Sequence, residues 1–336
     1  MASEPRRPTL RPERTKRIAG SSCPEVLIVS NELDVSIDWV VRELRDRSVQ
    51  YLRLNTERLS EYAVVIDPIY GRWTMSRDGI SNDLSQVRHV WYRRPEPPDL
   101  AAQHLTSGEI SMAREQWGAI VNGLRSLPRA RWMNLPERNM VAESKILQLH
   151  LATSLGFKVP KTIITNSRDD ALRLMDDQGS RVVVKALQTP LLPSDDGSSF
   201  VFTERLERSS LLAAAVVEPV PFIIQQEIDP KEDVRVTVID RTAVAAAPVH
   251  QASEVDWRAA RPPPAFRPYD ASDEVLKRSI VIVRELGLRF GALDFARTHD
   301  GEYFFLEINP NGEWGWLNKP DGLPIATLIA DALTRP

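Results

Sequence analysis

One stretch decides the fold that this sequence predicts: residues 304–316, FFLEINPNGEWGW. From Phe304 to Asn309 the side chains alternate with a period of two, which predicts a β-strand. Successive side chains of a strand point to opposite sides. We therefore expect one side to enter a core and the other to stay polar, the first carrying Phe304, Leu306 and Ile308 and the second Phe305, Glu307 and Asn309.

The polar side of this strand offers two oxygen ligands, the Glu307 carboxylate and the Asn309 amide, two residues apart. Mg²⁺ prefers a few such ligands, with the phosphates of a nucleotide completing its octahedron. Pro310 cannot donate to a strand ladder, so pairing should end there. The alternative is an edge strand whose polar side meets water, and the rest of the chain must decide between the two.

Composition excludes several protein classes. The chain has 336 residues, 42% hydrophobic and 26% charged, with a net charge of −3. These values are ordinary for a soluble globular protein and give no support to a nucleic-acid binder. The sequence has no apolar run near the ~20 residues of a membrane span. Cys23 is the single cysteine and the five histidines show no metal-ligand spacing, so a cytoplasmic protein without a zinc site is expected.

The chain divides into a tail and three parts. An Arg- and Pro-rich segment, residues 1–22, predicts a disordered basic tail. A strand–helix–strand pattern over residues 25–54 predicts an α/β N-terminal domain, without the GxGxxG turn of a dinucleotide site. A helix that ends at Pro128 sets the first boundary. The predicted domains are residues 23–128, 129–225 and 226–336.

Further patterns place the remaining elements. We expect one amphipathic helix over Asn139–Leu155, a polar loop over Thr189–Ser199, and a helix over Ala271–Leu286 capped at Asp270. The segment Val87–Pro95 predicts a strand with a basic, aromatic end. Its arginines could lie over Trp91 and Tyr92 on an edge strand, or they could form a ledge that faces an anion or a peptide.

Acidic and basic groups converge near the C-terminus. A His299-Asp300-Gly301 turn pairs the strand of Asp294 with the strand of Glu307 and Asn309 as a hairpin. The two carboxylates would repel each other unless a cation lay between them. Lys185 ends a buried strand, and as a point charge it suits a phosphate. Arg235 projects from the same sheet, and Arg258 lies in a long loop.

Two further parts of the sequence are considered as nucleotide-site candidates. The segment Gln226-Glu227-Ile228 ends an apolar strand, where backbone groups and a carboxylate suit an adenine or ribose edge. Lys145 lies inside the predicted helix, and on pattern alone it would be a solvated helix lysine.

Six short motifs of this chain occur in the order seen in ATP-grasp ligases, which they resemble. From the N-terminal side they are Asn139…Lys145, Val183-Val184-Lys185, Gln226-Glu227-Ile228, Asp233-Val234-Arg235, residues 291–295 (GALDF) and residues 306–312 (LEINPNG). Three more resemble the graspetide synthetases, the maturases of ribosomally made peptides of the microviridin type: residues 90–95 (VWYRRP), Asp256-Trp257-Arg258 and residues 311–316 (NGEWGW). The resemblance covers residues 25–333. It implies an α/β ATP-grasp fold, with an N-terminal pre-ATP-grasp domain and ATP between a central and a C-terminal grasp domain.

The resemblance also implies roles for single residues. Lys145 and Lys185 would hold the phosphates of ATP, and Gln226, Glu227 and Ile228 would contact its adenine and ribose. Arg235 and Arg258 would hold the γ-phosphate and the acyl-phosphate. Asp294, Glu307 and Asn309 would bind two Mg²⁺ ions, with Asn309 also counted at the nucleotide. One departure is the segment after Lys185, which is glycine-rich in many ATP-grasp proteins and here has a single glycine over residues 191–199.

The implied reaction is peptide macrocyclisation. A side-chain carboxylate of a ribosomal precursor peptide, made of a leader and an acidic core, becomes an acyl-phosphate. A Ser or Thr hydroxyl or a Lys amine of the same peptide then displaces phosphate. The family resemblance also suggests a homodimer. Three alternatives stay open: a ligase that appends amino acids to a protein tail, a catalytically silent ATP-grasp domain that binds peptides, and a phosphotransferase.

Overall fold

The structure is a computed structural model that describes residues 20–179, 181–188, 191–194, 197–200, 202–213, 220–250, 255–260, 262, 264–318 and 321–335. Most of the predicted basic tail lies outside these residues. Its end does not: Gly20–Ser22 form strand β1, which pairs in parallel with Ile80–Asp83. The prediction of a disordered tail was therefore wrong at this end, because the backbone of these residues extends a sheet.

The predicted strand–helix–strand opening is confirmed. Strand β2 (Val26–Ser30), helix α1 (Ile37–Asp46) and strand β3 (Tyr51–Asn55) form a parallel unit. Strands β7 (His89–Tyr92) and β8 (Arg131–Met133) extend its sheet in the order β3-β2-β7-β8, all parallel. Every residue of β2 is buried, as expected for the interior of a parallel sheet.

A second sheet covers one face of the first. Strands β4 (Ala63–Asp67), β5 (Arg72–Arg77) and β6 (Ile80–Asp83) follow in the order β1-β6-β5-β4, and β4 and β5 form an antiparallel hairpin. Helix α2 (Ser107–Gly123) lies beside them. Trp73 of β5 packs into the same core as Leu27 of β2.

The single helix expected over Asn139–Leu155 is two helices, α3 (Pro136–Ala142) and α4 (Lys145–Ser154). The break lies at Ser144, whose backbone is extended and whose hydroxyl accepts a hydrogen bond from the backbone N–H of Leu147. A serine with extended backbone begins a helix well. Lys145 therefore starts a helix instead of lying within one.

The central part is antiparallel, in the strand order β13-β10-β14-β9. Its elements are β9 (Thr162–Thr165), α5 (Arg168–Asp177), β10 (Val182–Lys185), β13 (Glu204–Arg205), α6 (Arg208–Ala213) and β14 (Phe222–Gln226). The polar loop expected after Lys185 is instead a hairpin of β11 (Leu191–Ser194) and β12 (Gly197–Phe200). Antiparallel pairing satisfies its backbone groups locally.

The C-terminal sheet has the strand order β17-β16-β15-β18-β19, antiparallel throughout. Its strands are β15 (Glu232–Ile239), β16 (Thr242–Pro248), β17 (Phe266–Tyr269), β18 (Phe290–Arg297) and β19 (Tyr303–Asn309). Helix α7 (Asp273–Glu285) packs on this sheet. Ser272 caps it by accepting from the backbone N–H of Val275, so the cap predicted at Asp270 was wrong.

Strand β19 does not keep the simple alternation that the sequence suggested. Asp294 lies opposite Glu307, but the next residue of β18, Phe295, lies opposite Phe305, so Leu306 is an extra bulged residue. Phe305 is therefore buried with Ile308 and packs on the rings of Phe295 and Phe157. The predicted side for Phe305 was wrong, because the bulge reverses the direction of every side chain before it.

The chain ends against its own beginning. Helix α8 (Ile325–Thr334) packs with α1 and the N-terminal parallel sheet in one hydrophobic core. Arg47, the residue that follows α1, donates to the Asp331 carboxylate of α8 at 2.7 Å. Over the described residues, none of the helices has the length and apolar character needed to cross a membrane.

Candidate active site between two sheets

A cavity lies between the central and the C-terminal sheets. Its walls come from β10 and β14 on one side, from β15, β18 and β19 on the other, and from the turn around Arg258. Eight of the residues predicted for the site line it: Lys185, Gln226, Glu227, Ile228, Arg235, Arg258, Asp294 and Glu307. The β19 bulge matters here, because Leu306 and Glu307 both reach this cavity.

Asp294 and Arg235 form an ion pair on adjacent strands. They lie directly opposite each other on β15 and β18. The Arg235 Nε donates to Asp294 Oδ1 at 2.8 Å and its Nη2 to Oδ2 at 2.7 Å, a two-pronged geometry that fixes both side chains. Arg235 is 7% exposed, so this pair lies at the cavity floor.

Glu307 holds the other two predicted residues, which do not line the cavity themselves. Lys145 donates its Nζ to Glu307 Oε2, and the Asn309 Nδ2 approaches Glu307 Oε1 at 3.4 Å. Burial would raise the pKa of Glu307, but the charges of Lys145 and Arg258 outweigh it and lower that pKa to about 2. Glu307 is therefore a carboxylate at neutral pH.

Gln148 holds the helix that carries Lys145 in place over Glu307, and no pattern in the sequence selects this glutamine. Gln148 is 2% exposed, and its side-chain amide pairs with both backbone groups of Ile308 at 2.8 and 3.0 Å. Helix α4 is thereby fixed against β19, one turn after its start. Lys145, at that start, lies over Glu307.

Lys185 differs from the other site cations in its partner. Its Nζ donates to the side-chain oxygen of Gln225 at 2.7 Å, and Gln225 in turn donates to the Thr162 hydroxyl at 2.9 Å. Burial lowers the pKa of Lys185 to about 8, with the Glu307 carboxylate opposing this shift. Gln225 is buried and was missed from the sequence, where it reads as part of an apolar strand.

Asp256 fixes Arg258. Its carboxylate accepts from Arg258 Nε at 2.8 Å and Nη2 at 2.7 Å, and from the Arg258 backbone N–H at 3.1 Å. The backbone N–H of Thr203 also donates to it, at 3.3 Å. No role for Asp256 follows from the residue pattern alone. An aspartate that caps the turn holding an arginine two residues later was the available signal.

The segment Gln226-Glu227-Ile228 lies along the cavity, and some of its polar groups already have hydrogen-bond partners within the protein. The backbone N–H groups of Gln226 and Glu227 donate to the carbonyls of Lys161 and Arg181, at 2.8 and 3.0 Å. The Glu227 carboxylate accepts from Arg205 at 2.8 Å. A ribose hydroxyl that bound Glu227 would therefore share this carboxylate with Arg205.

Three aromatic rings form a wall next to Arg235. Trp316 lies 4.5 Å from Phe266 and 5.4 Å from Trp257, ring centroid to ring centroid. The Arg235 guanidinium lies 5.8 Å from the Trp316 centroid, within reach of a cation–π contact. The residue pattern assigns no physical role to the tryptophans of residues 314–316, whereas in the structure Trp316 packs in this cluster beside Arg235.

The oxygen donors that β18 and β19 bring together suit Mg²⁺. Asp294 and Glu307 face each other across the two strands, and Asn309 adds an amide oxygen on the same strand as Glu307. Within the described part of the chain, no group of three or more His, Cys, Asp or Glu side chains forms a metal cluster. Two carboxylates with one amide match an ion that takes its remaining ligands from phosphates and water.

A model of the RimK-like ATP-grasp domain matches residues 142–333, which is more than half of the chain. The chain belongs to the RimK-like ATP-grasp family. The predicted α/β ATP-grasp fold is confirmed, and the matched residues include every side chain predicted for the site. Among curated protein sequences, no relative matches this chain.

Solved structures of ATP-grasp peptide ligases share this fold. The macrocyclase MdnB from Microcystis aeruginosa is 29% identical, with a TM-score of 0.74 over 94% of this chain and 100% of its own. A Chryseobacterium gregarium ligase in complex with ADP and a leader and core peptide is 24% identical, with a TM-score of 0.84 over 94% and 98%. The ligase PsnB, complexed with a precursor variant, Mg and ADP, is 22% identical, with a TM-score of 0.72 over 92% and 97%.

Proposed function

We propose that this protein is an ATP-dependent peptide macrocyclase of the graspetide type, an ADP-forming ligase. The observation that carries the proposal is the charge arrangement of the cavity, where Lys185, Arg235 and Arg258 lie around two carboxylates that face each other in register. Lys145 adds a further positive charge through its contact with one of these carboxylates, Glu307. This arrangement suits a magnesium nucleotide and an acyl-phosphate. The likeness to MdnB, a macrocyclase, supports a peptide as the substrate.

The nucleotide would lie between the two sheets. Lys185 lies on one wall, and Lys145 donates to Glu307 of the opposite wall. Both lysines would bind its phosphates, each as a compact point charge. Gln226, Glu227 and Ile228 would contact adenine and ribose. Asp294, Glu307 and Asn309 would hold two Mg²⁺ ions, which act as Lewis acids toward the phosphoryl oxygens when bound.

The reaction has two balanced steps. First, a carboxylate oxygen of the peptide attacks the γ-phosphorus of ATP, the bond to the β–γ bridging oxygen breaks, and ADP leaves with that electron pair. Second, a Ser or Thr hydroxyl or a Lys amine of the same peptide attacks the acyl carbon. The C–O bond to phosphate then breaks, and the nucleophile loses its proton. One ester or amide bond forms for each ATP converted to ADP and phosphate.

Arg235 and Arg258 would supply the positive charge for these steps. Both are held by carboxylates, so their guanidinium groups are already oriented before the negative charge develops. Electrostatic preorganisation of this kind makes the largest single contribution to the rate enhancement of many enzymes. The aromatic wall of Trp257, Phe266 and Trp316 excludes water from one side, which favours the acceptor over hydrolysis.

The partner in this proposal is a ribosomal precursor peptide with a leader and an acidic core that also carries Ser, Thr or Lys. The cytoplasm, where such a peptide is made, is the proposed location. The domain limits at residues 128 and 225 and a homodimer remain predictions.

Mass spectrometry tests the proposal. The protein is incubated with Mg-ATP and the short peptide encoded beside its gene, and the peptide should lose the mass of one water per bond while ADP forms. Lys185→Ala, Asp294→Asn and Glu307→Gln should each abolish turnover and leave the fold intact. The matched control is Lys158→Ala, because Lys158 is an exposed lysine that pairs with Glu302 away from the cavity.

Other outcomes separate the remaining functions. A gain of amino-acid mass would indicate a ligase that appends residues, and a stable gain of phosphate would indicate a phosphotransferase. Peptide binding without ADP release would indicate a silent binding domain. Wild-type cross-linking rates in the three site variants would contradict the assignment of metal and phosphate ligands.

A further inference from the structure

Two sequence motifs that the proposed reaction does not use meet inside the protein. Arg93, which follows β7 in the N-terminal sheet, is 1% exposed and lies against the turn after β19. Its Nε donates to Asp34 Oδ2 at 2.7 Å, its Nη1 to the carbonyl oxygen of Gly312 at 3.1 Å, and its Nη2 to Glu313 Oε2 at 3.1 Å. One guanidinium therefore joins the N-terminal sheet to this turn.

The contact is specific for arginine. Each of the three nitrogens has its own acceptor, and the guanidinium lies 5.8 Å from the Trp91 ring centroid and 5.9 Å from that of Trp314. A lysine ammonium keeps the charge but cannot present three donors in a flat fork between two rings. The strand of residues 89–92 is also interior to its sheet, so the edge strand suggested by the sequence was wrong.

Glu313 organises the turn from within. Its Oε1 accepts from the backbone N–H groups of Trp314 and Gly315, at 3.1 and 3.2 Å, and from the Ser36 hydroxyl. Its Oε2 accepts from Arg94 as well as Arg93. The carboxylate thus fixes the local backbone and ties it to the N-terminal sheet at the same time.

The turn is also tightly packed. A Cβ atom added at Gly312 would lie 2.4 Å from the Cβ of Ala292 in β18, and one at Gly315 would lie 2.5 Å from the Ser36 hydroxyl. Contacts this close leave the turn little freedom to move toward the sheet or toward the N-terminal part. Its position is therefore set by both neighbours.

The same turn holds Arg235. The Arg235 Nη1 donates to the backbone carbonyl of Glu313 at 3.2 Å, which adds to its two bonds with Asp294. Trp316, at the end of the turn, lies against the Arg235 guanidinium. A shift of the turn would change two of the contacts that orient this arginine.

We propose that Arg93 is a positioning residue for the active site: it fixes the turn of residues 312–316 so that the Glu313 carbonyl and Trp316 orient Arg235. This inference rests on the proposed function, in which Arg235 stabilises the reacting acyl-phosphate. It assigns to the N-terminal sheet a direct part in arranging a catalytic arginine. The rival explanation is that Arg93 only joins two parts of the fold.

Arg47 is the control residue that tests whether Arg93 only joins two parts of the fold. It also joins the N-terminal part to the C-terminal part, through the Asp331 carboxylate at 2.7 Å, and it pairs at 3.0 Å with Glu43 of α1. Its partners lie on α1 and α8, outside the turn. If Arg93 only joined parts of the fold, Arg93→Lys and Arg47→Lys would alter activity in the same way after correction for stability.

The experiment compares kcat and KM of the full-length variants. We expect Arg93→Lys to lower kcat roughly ten- to hundredfold, because small displacements of catalytic groups cost up to that much. KM for ATP should stay within about threefold, because Lys185 and Lys145 bind elsewhere. Arg47→Lys should change kcat by less than about twofold. Glu313→Gln, at a partly exposed position, should lower kcat in the same direction and covers the case in which Arg93→Lys does not fold.

A second readout needs no peptide. The Nε–Hε NMR signal of Arg235, identified by its loss in Arg235→Lys, should shift in Arg93→Lys and stay in place in Arg47→Lys. If the wild-type protein forms no product, the proposed function fails, and this signal alone decides the inference. An unmoved signal in Arg93→Lys and Glu313→Gln, or equal kcat in Arg93→Lys and Arg47→Lys, would overturn it.

Discussion

Nucleotide binding should weaken about tenfold between pH 7 and pH 9, because Lys185 loses its proton in that range. Burial lowers the pKa of this lysine to about 8 in the free protein. The other charges that act on it are those of Glu307, Lys145, Lys231 and Asp256, with the two carboxylates raising its pKa and the two lysines lowering it. The phosphates of a bound nucleotide add negative charge and raise it further.

The magnitude follows from linkage. Binding favours the protonated lysine, so the apparent Kd is inversely proportional to the fraction of free protein that keeps the proton. With a pKa of about 8, roughly 90% of Lys185 is protonated at pH 7 and roughly 10% at pH 9. The nucleotide phosphates do not change over this range, because their last ionisation lies near pH 6.

Titration calorimetry with Mg-ADP measures this effect directly. Lys185→Arg is the control, because an arginine stays protonated and its Kd should vary little with pH. Loss of folded protein at high pH would not account for weaker nucleotide binding, because the titration of Lys185 changes stability in the opposite direction. The folded pKa of Lys185 lies below its unfolded value of about 10.5, so the unfolded chain holds more protons between pH 8 and pH 10.5. The free energy of unfolding therefore increases with pH in this range, because the cost of burying a charged lysine disappears. A wild-type Kd that stays flat from pH 7 to pH 9 would refute the phosphate role of Lys185.

Three further predictions concern residues around the cavity. Asn134→Ala should lower the free energy of unfolding by about 3 kcal/mol in urea titrations, because the buried amide makes five hydrogen bonds, which reach Asn139 and the backbone at Arg289, Phe290 and Pro310. Asp256→Asn should lower kcat about tenfold or more in the ADP-release assay, with little loss of stability, because Arg258 loses a charged partner. Ser144→Ala should cost up to about 1 kcal/mol, again in urea, through the lost cap of α4.

The core of the proposed metal site could be predicted from the sequence because it depends on local order. A short turn between two alternating segments predicts a hairpin, and a hairpin places Asp294 near Glu307. The structure confirms that the two residues are direct partners across β18 and β19. This prediction required only the spacing of neighbouring elements along the chain and the preference of Mg²⁺ for oxygen ligands.

The bulge at Leu306 could not be predicted in the same way. Phe304, Phe305 and Leu306 are all apolar, so alternation alone does not tell which of them is the extra residue. Packing decides it, since Phe305 meets Phe157 and Phe295 in the core. The position of Lys145 depends likewise on a distant contact, the amide of Gln148 on the backbone of Ile308.

The pairing of charges explains how this site stays folded before a substrate binds. Asp294 and Glu307 lie opposite each other, and like charges at such positions repel. Arg235 and Lys145 each neutralise one of these carboxylates, and Asp256 neutralises Arg258. The same ion pairs hold every partner near the place where phosphate or metal would need it, which lowers the reorganisation required on binding. A mutation that removes one member leaves the charge of its partner unpaired. The cost in stability is large where the partner is buried, as Arg235 is, and small where it is partly exposed, as Arg258 is, so stability must be measured beside activity for each variant.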